Sequence, residues 1–228
     1  MRRNSDDRPP NARQRIIEEA TRQFSEVGFK GATLQSIADA VGMQKPSLVY
    51  HFRSKEGLHR AVLENLMLHW QNKVPRLMEA AASGHDRFAS TLNMVLDFFK
   101  ADRNRARFAM RESLDNLDMV HALAKQHLRP WITVLVDYIK IGQRMGIIKP
   151  EVDPRSYIIL IMMMTLGAVA FGSVSRPLFD VDEEKSLEPQ LKELLRIAKE
   201  ALFVERAKPP SDGAAKGAPA AESSRQKS

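Results

Sequence analysis

Hydrophobic residues recur every three or four positions along most of this chain, which is the spacing of an amphipathic helix. The first such face runs from Ile16 to Val27, and Gly28 is placed to end it. No run alternates every second residue between hairpin turns, so strands are not expected. The pattern therefore predicts an all-α fold.

Turn-forming residues divide the rest of the chain into further helices. Thr33 and Gly42 are placed to begin and end a short helix, and a second short helix is expected at 45–52. Ser54 is placed to cap a longer helix that Pro75 bends or ends. Five more helices are expected at 84–101, 104–115, 118–145, 154–175 and 188–205.

The two ends of the chain have a different composition. Residues 1–11 are polar and contain two prolines, and they are expected to form a disordered basic arm. Residues 207–228 contain no large apolar residue, so this tail cannot bury enough surface to fold. The folded body should therefore cover about residues 12–206.

The segment from Ser156 to Ser175 has 20 residues and no charge, so by length alone it could span a bilayer. Its second half is only mildly apolar, and its neighbours are amphipathic as a bundle requires. We therefore favour a helix buried by its own fold and by a partner subunit, with no membrane contact.

Composition narrows the chemistry further. The chain has 228 residues and a net charge of +7, and such a basic excess favours an anionic partner only weakly. It has no cysteine, which excludes disulfides, thiolate metal sites and cysteine nucleophiles and fits a reducing compartment. No histidine pair has metal-ligand spacing, and no glycine-rich phosphate loop or Gly-x-Ser-x-Gly run is present. We expect no enzyme, no metal, no cofactor and no catalytic residue.

Residues 34–52 have the spacing of a helix-turn-helix. Gly42 allows a sharp turn, Ala38 is small enough for two helices to cross closely, and Leu48 can pack the second helix onto the first. The outer side of the second helix then carries side chains able to reach base edges and phosphates, namely Gln44, Lys45, Ser47, Tyr50 and His51. On spacing alone, a helical hairpin with solvated polar residues fits equally well.

The motif and its surroundings resemble the TetR-type transcriptional regulators. The matching run covers Thr33–Met43 and Lys45–Leu58, and Ile16–Phe29 is similar to the first helix of the family. The resemblance implies a three-helix N-terminal DNA-binding domain at 12–56, followed at 57–206 by a helical domain that binds a ligand and dimerises. It also implies a repressor that a small molecule releases from DNA.

The resemblance assigns roles to individual residues. Thr33 and Lys55 would each contact a phosphate at the start of a helix. Val49 stands where the family often has Tyr, so the aromatic contact is expected to move to Tyr50. Gln44 gives a weaker helix cap than Ser or Thr but can read adenine. The implied DNA-binding residues are Thr33, Gln44, Lys45, Pro46, Ser47, Tyr50, His51 and Lys55.

A ligand cavity in the C-terminal body is likewise implied by the resemblance, whereas the residues alone fit a packed core. Few of the candidate residues are ionisable, so we expect a small apolar or aromatic effector. A polar group on it would meet Arg111, Glu112 or Trp131. The candidate lining residues are Met94, Phe98, Phe108, Arg111, Leu114, Trp131, Leu135 and Met163.

The dimer surface is expected on helices 154–175 and 188–205, where Gly167 and Ala168 permit close approach. A two-fold dimer predicts a palindromic operator with half-sites about 34 Å apart or a small multiple of that distance. Two functions remain open from the sequence. One is a cytoplasmic homodimeric repressor, and the other is a soluble or membrane-associated helical protein that binds small molecules and carries an incidental motif.

Overall fold

The computed structural model describes residues 11–80, 84–172, 178 and 183–204. Within its helices, positions 71–80, 84–85 and 183–186 are described for the backbone alone. The arm expected at 1–11 lies outside the described residues except for Asn11, and the tail expected at 207–228 lies outside them entirely.

Ten helices are described, and the only strand-like pairing among these residues is an isolated bridge between Ile148 and Phe203. The all-α fold is therefore confirmed. The helices are α1 Ala12–Gly31, α2 Leu34–Ala40, α3 Lys45–Phe52, α4 Lys55–Ala80, α5 Gly84–Ala101, α6 Arg103–Asp115, α7 Leu117–His127, α8 Arg129–Arg144, α9 Pro154–Ala170 and α10 Glu183–Leu202.

The first three helices form a small unit whose ends are fixed by local chemistry. The side chain of Thr33 accepts a hydrogen bond from the Ser36 backbone N–H, so it caps α2 as the sequence predicted. Gly42 has a φ of 72°, which is favourable for glycine and makes the turn between α2 and α3. Ala38 and Leu48 are fully buried where these two helices cross.

Several predicted helix bounds were wrong, among them the end of the helix expected at 154–175, because α9 ends at Ala170. The helix expected at 118–145 is two helices, α7 and α8, because Pro130 cannot donate a backbone hydrogen bond and therefore begins a new helix. Pro75 does not end α4, which continues to Ala80. The last helix begins at Glu183 and runs through Pro189, at the loss of one backbone hydrogen bond.

The C-terminal helices pack around α6, which contacts α1 of the N-terminal unit on one side and α9 on another. One continuous core runs from Ile16 and Phe24 through Phe108 to Leu191 and Ala198. The two units are therefore joined by packed side chains. Among the described residues, no helix is long and apolar enough to cross a membrane.

Candidate nucleic-acid interface and apolar cavity

The outer face of α3 presents a row of exposed polar and aromatic side chains. Leu48 and Phe52 anchor the inner face in the core, so the residues between them point outward. Gln44 is the N-cap residue but makes no side-chain cap bond, which leaves its amide free. Tyr50 is 86% exposed and its ring lies against His51. Six of the implied DNA-binding residues share this surface: Gln44, Lys45, Pro46, Ser47, Tyr50 and His51.

The other two implied residues lie at the starts of neighbouring helices. Thr33 is exposed, and its hydroxyl is engaged in the α2 cap. The ammonium of Lys55 lies 4.5 Å from the centre of the Phe29 ring and 3.5 Å from the Lys30 carbonyl oxygen. These contacts hold a positive charge beside the first turn of α4, where backbone N–H groups also favour an anion.

Arg53, one of the four cations between Gln44 and Arg60, links α3 to α4. Its φ of 58° and ψ of −44° place it in a tight turn in which Ser54 N–H donates to the Phe52 carbonyl at 2.6 Å. A non-glycine residue rarely adopts this conformation, and strained positions of this kind cluster at functional sites. Arg53 is exposed next to the recognition face. The sequence indicates Arg53 only as a member of this basic run, which favours phosphate contacts, and assigns it no individual contact.

The N-terminal unit meets the larger body mainly through α1 and α6. Ser25 donates a hydrogen bond to the Asn104 side chain at 3.0 Å, and the rings of Phe24 and Phe108 stack 6.2 Å apart. Arg111 lies directly over Gly28, where an added Cβ would fall 2.7 Å from its guanidinium. Arg111 therefore packs against α1, and it does not line the large cavity proposed from the sequence.

A buried histidine and glutamate lie where the larger body meets the N-terminal unit. Nε2 of His59 on α4 lies 2.9 Å from Oε1 of Glu112 on α6, a close contact whose angles fall short of hydrogen-bond geometry. The side chains are 2% and 1% exposed. Asn116 donates to the other carboxylate oxygen at 2.8 Å, and the ring of Phe24 lies 4.9 Å from the imidazole. Both carboxylate oxygens of Glu112 therefore contact residues at this junction.

A cavity of about 320 Å³ lies in the C-terminal body between α4, α5, α6, α7, α8 and α9. Its volume lies at the lower end of the range for small-molecule sites. Its walls are predominantly apolar, and both tryptophans of the chain, Trp70 and Trp131, line it. The other lining side chains include Leu63, Leu66, Phe88, Phe99, Ala109, Ser113, Ala124, Leu135, Tyr138, Tyr157 and Thr165.

The polar groups of this cavity divide into paired and unpaired ones. Tyr157 donates to the Ala198 carbonyl at 2.6 Å, and Ser113 donates to the Ala109 carbonyl at 2.8 Å. Burial raises the pKa of the Tyr157 phenol well above its usual value, so this group is neutral. In contrast, Oγ1 of Thr165 and Nε1 of Trp131 are buried without a hydrogen-bond partner.

Several residues predicted to line the cavity do not line it, because their positions on the helices direct the side chains to solvent or to other contacts. Trp131 and Leu135 line the cavity, whereas Leu114 is 84% exposed and Met163 is 63% exposed. Phe98 and Phe108 face a separate crevice of about 20 Å³ between α1, α4 and α6. Met94 packs at the edge of the core. Arg111 and Glu112 are engaged at the junction with the N-terminal unit.

One face of α9 carries apolar side chains that the described part of the chain leaves exposed. Ile159, Leu160, Met163 and Met164 lie on this face at intervals of one, three and four residues. Phe171, just beyond the helix, and Ile197 on the adjacent α10 are exposed as well. A surface of this kind marks an interaction site.

Two family models match the chain. Residues 16–62 match the model described as bacterial regulatory proteins, tetR family, and residues 85–196 match a tetracyclin repressor-like C-terminal domain. The chain is 22% identical over 152 residues to the HTH-type transcriptional repressor KstR2 of Mycolicibacterium smegmatis, covering 64% of this chain and 71% of that protein.

A second relative is similar over a shorter segment. The HTH-type transcriptional repressor AcnR of Corynebacterium glutamicum is 41% identical over 56 residues, which are 25% of this chain and 30% of AcnR. The shared part includes no more than about a third of that protein, so this similarity concerns a segment.

Solved structures are similar over nearly their whole length. The ketosteroid transcriptional regulator KstR2 of Mycobacterium tuberculosis superposes with a TM-score of 0.66 at 17% identity, covering 87% of this chain and 98% of the other. The fatty acid degradation regulator FadR of Bacillus halodurans gives 0.64 at 19% identity, covering 82% and 96%. At these identities the likeness establishes the fold.

Proposed function

Because the chain belongs to the tetR family of bacterial regulatory proteins, and is therefore a DNA-binding regulator of transcription, we propose that it is a homodimeric repressor. A small apolar molecule releases it from a palindromic operator. The observation that carries the proposal is the outer face of α3, whose exposed polar side chains are backed by a fully buried Leu48. The protein acts on chromosomal DNA and therefore in the cytoplasm.

The dimer is supported by the apolar face of α9. Its exposed side chains are large and contiguous, and a second copy with the same face would cover them. A two-fold arrangement presents two recognition helices to one side of the DNA. The effector is supported by the cavity, which lies beside α4, the helix that begins next to the recognition helix.

On the DNA, the side chains of the α3 surface have two tasks. Gln44 can make a bidentate contact with adenine, and Tyr50 and His51 can contact neighbouring base edges. Lys45, Lys55 and Arg53 bring positive charge to phosphates, and Ser47 and Thr33 offer hydroxyl groups. Pro46 fixes the first turn of α3 in helical geometry. Phosphate contacts position the protein, and base contacts give the preference for one sequence.

The proposal is tested by operator binding with DNA that flanks the gene of this protein. Both protomers together should neutralise on the order of 6–8 phosphates, so log K should fall with log salt at a slope of roughly −5 to −7. Specific affinity should lie near 10⁻⁸ to 10⁻¹⁰ M at moderate salt. Fluorescence anisotropy with specific and random duplexes measures both quantities.

Substitutions distinguish residues that contact phosphates from residues that contact base edges. Lys55→Ala should weaken binding to all duplexes alike, whereas Gln44→Ala should flatten the preference at particular base pairs by roughly 1–3 kcal/mol. Gln190→Ala and Lys140→Ala, on α10 and α8, are the matched controls and should change neither property. Equal affinity of the wild type for all duplexes would refute the proposed operator recognition.

A further inference from the structure

The wall of the cavity contains two hydrogen-bonding groups that the described part of the protein leaves unsatisfied. The Thr165 side chain is 1% exposed and its Oγ1 has no partner. Nε1 of Trp131 is also buried without one. Buried polar groups are nearly always paired, because an unpaired group loses its bond to water and gains nothing in return. Two unpaired groups in the wall of one cavity therefore indicate that a bound molecule supplies the partner.

The hydroxyl of Thr165 differs from other hydroxyls in helices of this protein. Thr21 donates to the Ile17 carbonyl at 2.7 Å, and Ser113 donates to the Ala109 carbonyl at 2.8 Å. Each of these bonds reaches the carbonyl four residues earlier, as is usual for such residues. Thr165 lies inside α9 and has the same position relative to Ile161, yet the bond is absent. Its hydroxyl therefore remains available to a ligand.

Charge is absent from the cavity wall. None of the described lining residues is Asp, Glu, Lys, Arg or His. A carboxylate, phosphate or ammonium group inside would lose its hydration without gaining a counter-charge, which is strongly unfavourable. The indole N–H of Trp131 can only donate a hydrogen bond, so its partner must be an acceptor.

We infer that the effector is an uncharged, mainly apolar molecule that presents an oxygen acceptor, such as a carbonyl group, to the Trp131 N–H and the Thr165 hydroxyl. This inference rests on the proposed function, because it names the chemical class of the molecule that the cavity accepts. The apolar walls provide affinity for any molecule of suitable size, and the two polar groups select among them. A ligand that lacks an acceptor leaves both groups unpaired.

Three probes of nearly identical shape test this class. Benzylacetone is a neutral ketone, butylbenzene has the same carbon skeleton without the carbonyl oxygen, and hydrocinnamate carries a carboxylate that is ionised near neutral pH. Binding to the full chain is followed by the fluorescence of Trp70 and Trp131, which both line the cavity. Benzylacetone should bind about tenfold more tightly than butylbenzene and at least about 100-fold more tightly than hydrocinnamate.

Variants of the protein test whether the preference for benzylacetone arises from the cavity wall. Thr165→Val keeps the shape but removes the hydroxyl, and it should weaken benzylacetone about fivefold while leaving butylbenzene unchanged. Ser113→Ala is the control, because Ser113 lines the same cavity but its hydroxyl already bonds to Ala109. Without ligand, Thr165→Val should also melt at a higher temperature than the wild type, since an unpaired buried hydroxyl is removed.

These experiments test the chemical class of the ligand and its regulatory role independently. Tighter or equal binding of hydrocinnamate, equal binding of butylbenzene, or no binding of benzylacetone would overturn the inference. A lower melting temperature for Thr165→Val would do the same, because it would show that the hydroxyl is already paired. If benzylacetone binds with the expected preference but leaves operator affinity unchanged, the ligand class is supported and the effector role in the proposed function fails.

Discussion

At Gly28 the backbone of α1 leaves helical geometry, with a φ of 73° and a ψ of 175°. Residues with a side chain almost never adopt this combination, so the position requires glycine. The guanidinium of Arg111 occupies the space where a Cβ would lie. The same residue thus bends the end of α1 and allows α6 to approach it.

Gly28→Ala should destabilise the protein by about 1–3 kcal/mol, which is the usual cost of forcing a side chain into this backbone conformation. The contact with Arg111 should add little, because the end of a long side chain can move away. Urea unfolding of Gly28→Ala, Arg111→Ala and the double variant measures both effects. If the double variant were as stable as Arg111→Ala alone, steric contact rather than backbone strain would explain the loss.

At the scale of an element, the two sides of α9 have different surroundings. Ile158 and Thr165 face the protomer interior and line the cavity, whereas Leu160 and Met163 are exposed. The helix is apolar on all sides, as is typical of a helix that is buried in the complete assembly. The cavity wall and the proposed dimer surface therefore lie back to back on one helix.

Met163→Glu should convert the dimer to a monomer without unfolding the protomer, because Met163 is exposed in the protomer and an unpaired charge in the interface costs several kcal/mol. Operator affinity should also fall when the dimer dissociates, although α3 is unchanged. Sedimentation equilibrium gives the mass, and circular dichroism gives the helix content. Val134→Glu is the matched control, because Val134 is an exposed apolar residue on α8. If the Met163→Glu protein stays dimeric, the dimer surface must lie elsewhere on the protein.

At the scale of the whole molecule, two helices connect the cavity with the DNA-facing unit. The helix α4 begins at Lys55 beside the recognition helix and lines the cavity with Leu63 and Trp70. The helix α6 lines the cavity with Ala109, its Phe108 contacts Phe24 of the N-terminal unit, and its Glu112 contacts His59 on α4. We therefore expect that a shift of either helix on ligand binding would change the position of α3.

An effector should therefore weaken operator binding, and the operator should weaken effector binding by the same factor, because the coupling free energy is reciprocal. A typical coupling of about 1–3 kcal/mol corresponds to a change of roughly 5- to 150-fold. Operator affinity measured with and without saturating benzylacetone, and benzylacetone affinity with and without operator, give the two factors. Unequal factors would show that the two sites are not linked through one equilibrium.

Ala124→Phe tests the same coupling from the cavity side. Ala124 lines the cavity, so a phenyl ring there occupies the volume that a ligand would fill. Benzylacetone binding should be lost while the dimer mass is unchanged. The control is Ala40→Phe, because Ala40 is exposed on α2 and far along the chain from the cavity.

The helix-turn-helix and its outward-facing residues could be predicted because they depend on short-range rules. Thr33 caps α2 through a hydrogen bond three residues away, and Gly42 makes the turn through its own backbone freedom. An eight-residue helix with Leu48 and Phe52 on one side has its other side in solvent. The family resemblance then gave the fold and the class of function.

The lining of the cavity was decided by tertiary packing. Periodicity shows which residues share a face of a helix, but it does not show which face turns inward when both are apolar, as on α9. Met163 and Leu114 were therefore misplaced, although their side chains suit a cavity as well as those of Trp131 and Leu135. Arg111 and Glu112 lie at the junction because they contact Gly28 and His59, which are far away in the sequence. The sequence by itself determined the all-α fold and the outward face of the helix-turn-helix, because both depend on short-range rules, and only the packing of distant helices determined the cavity.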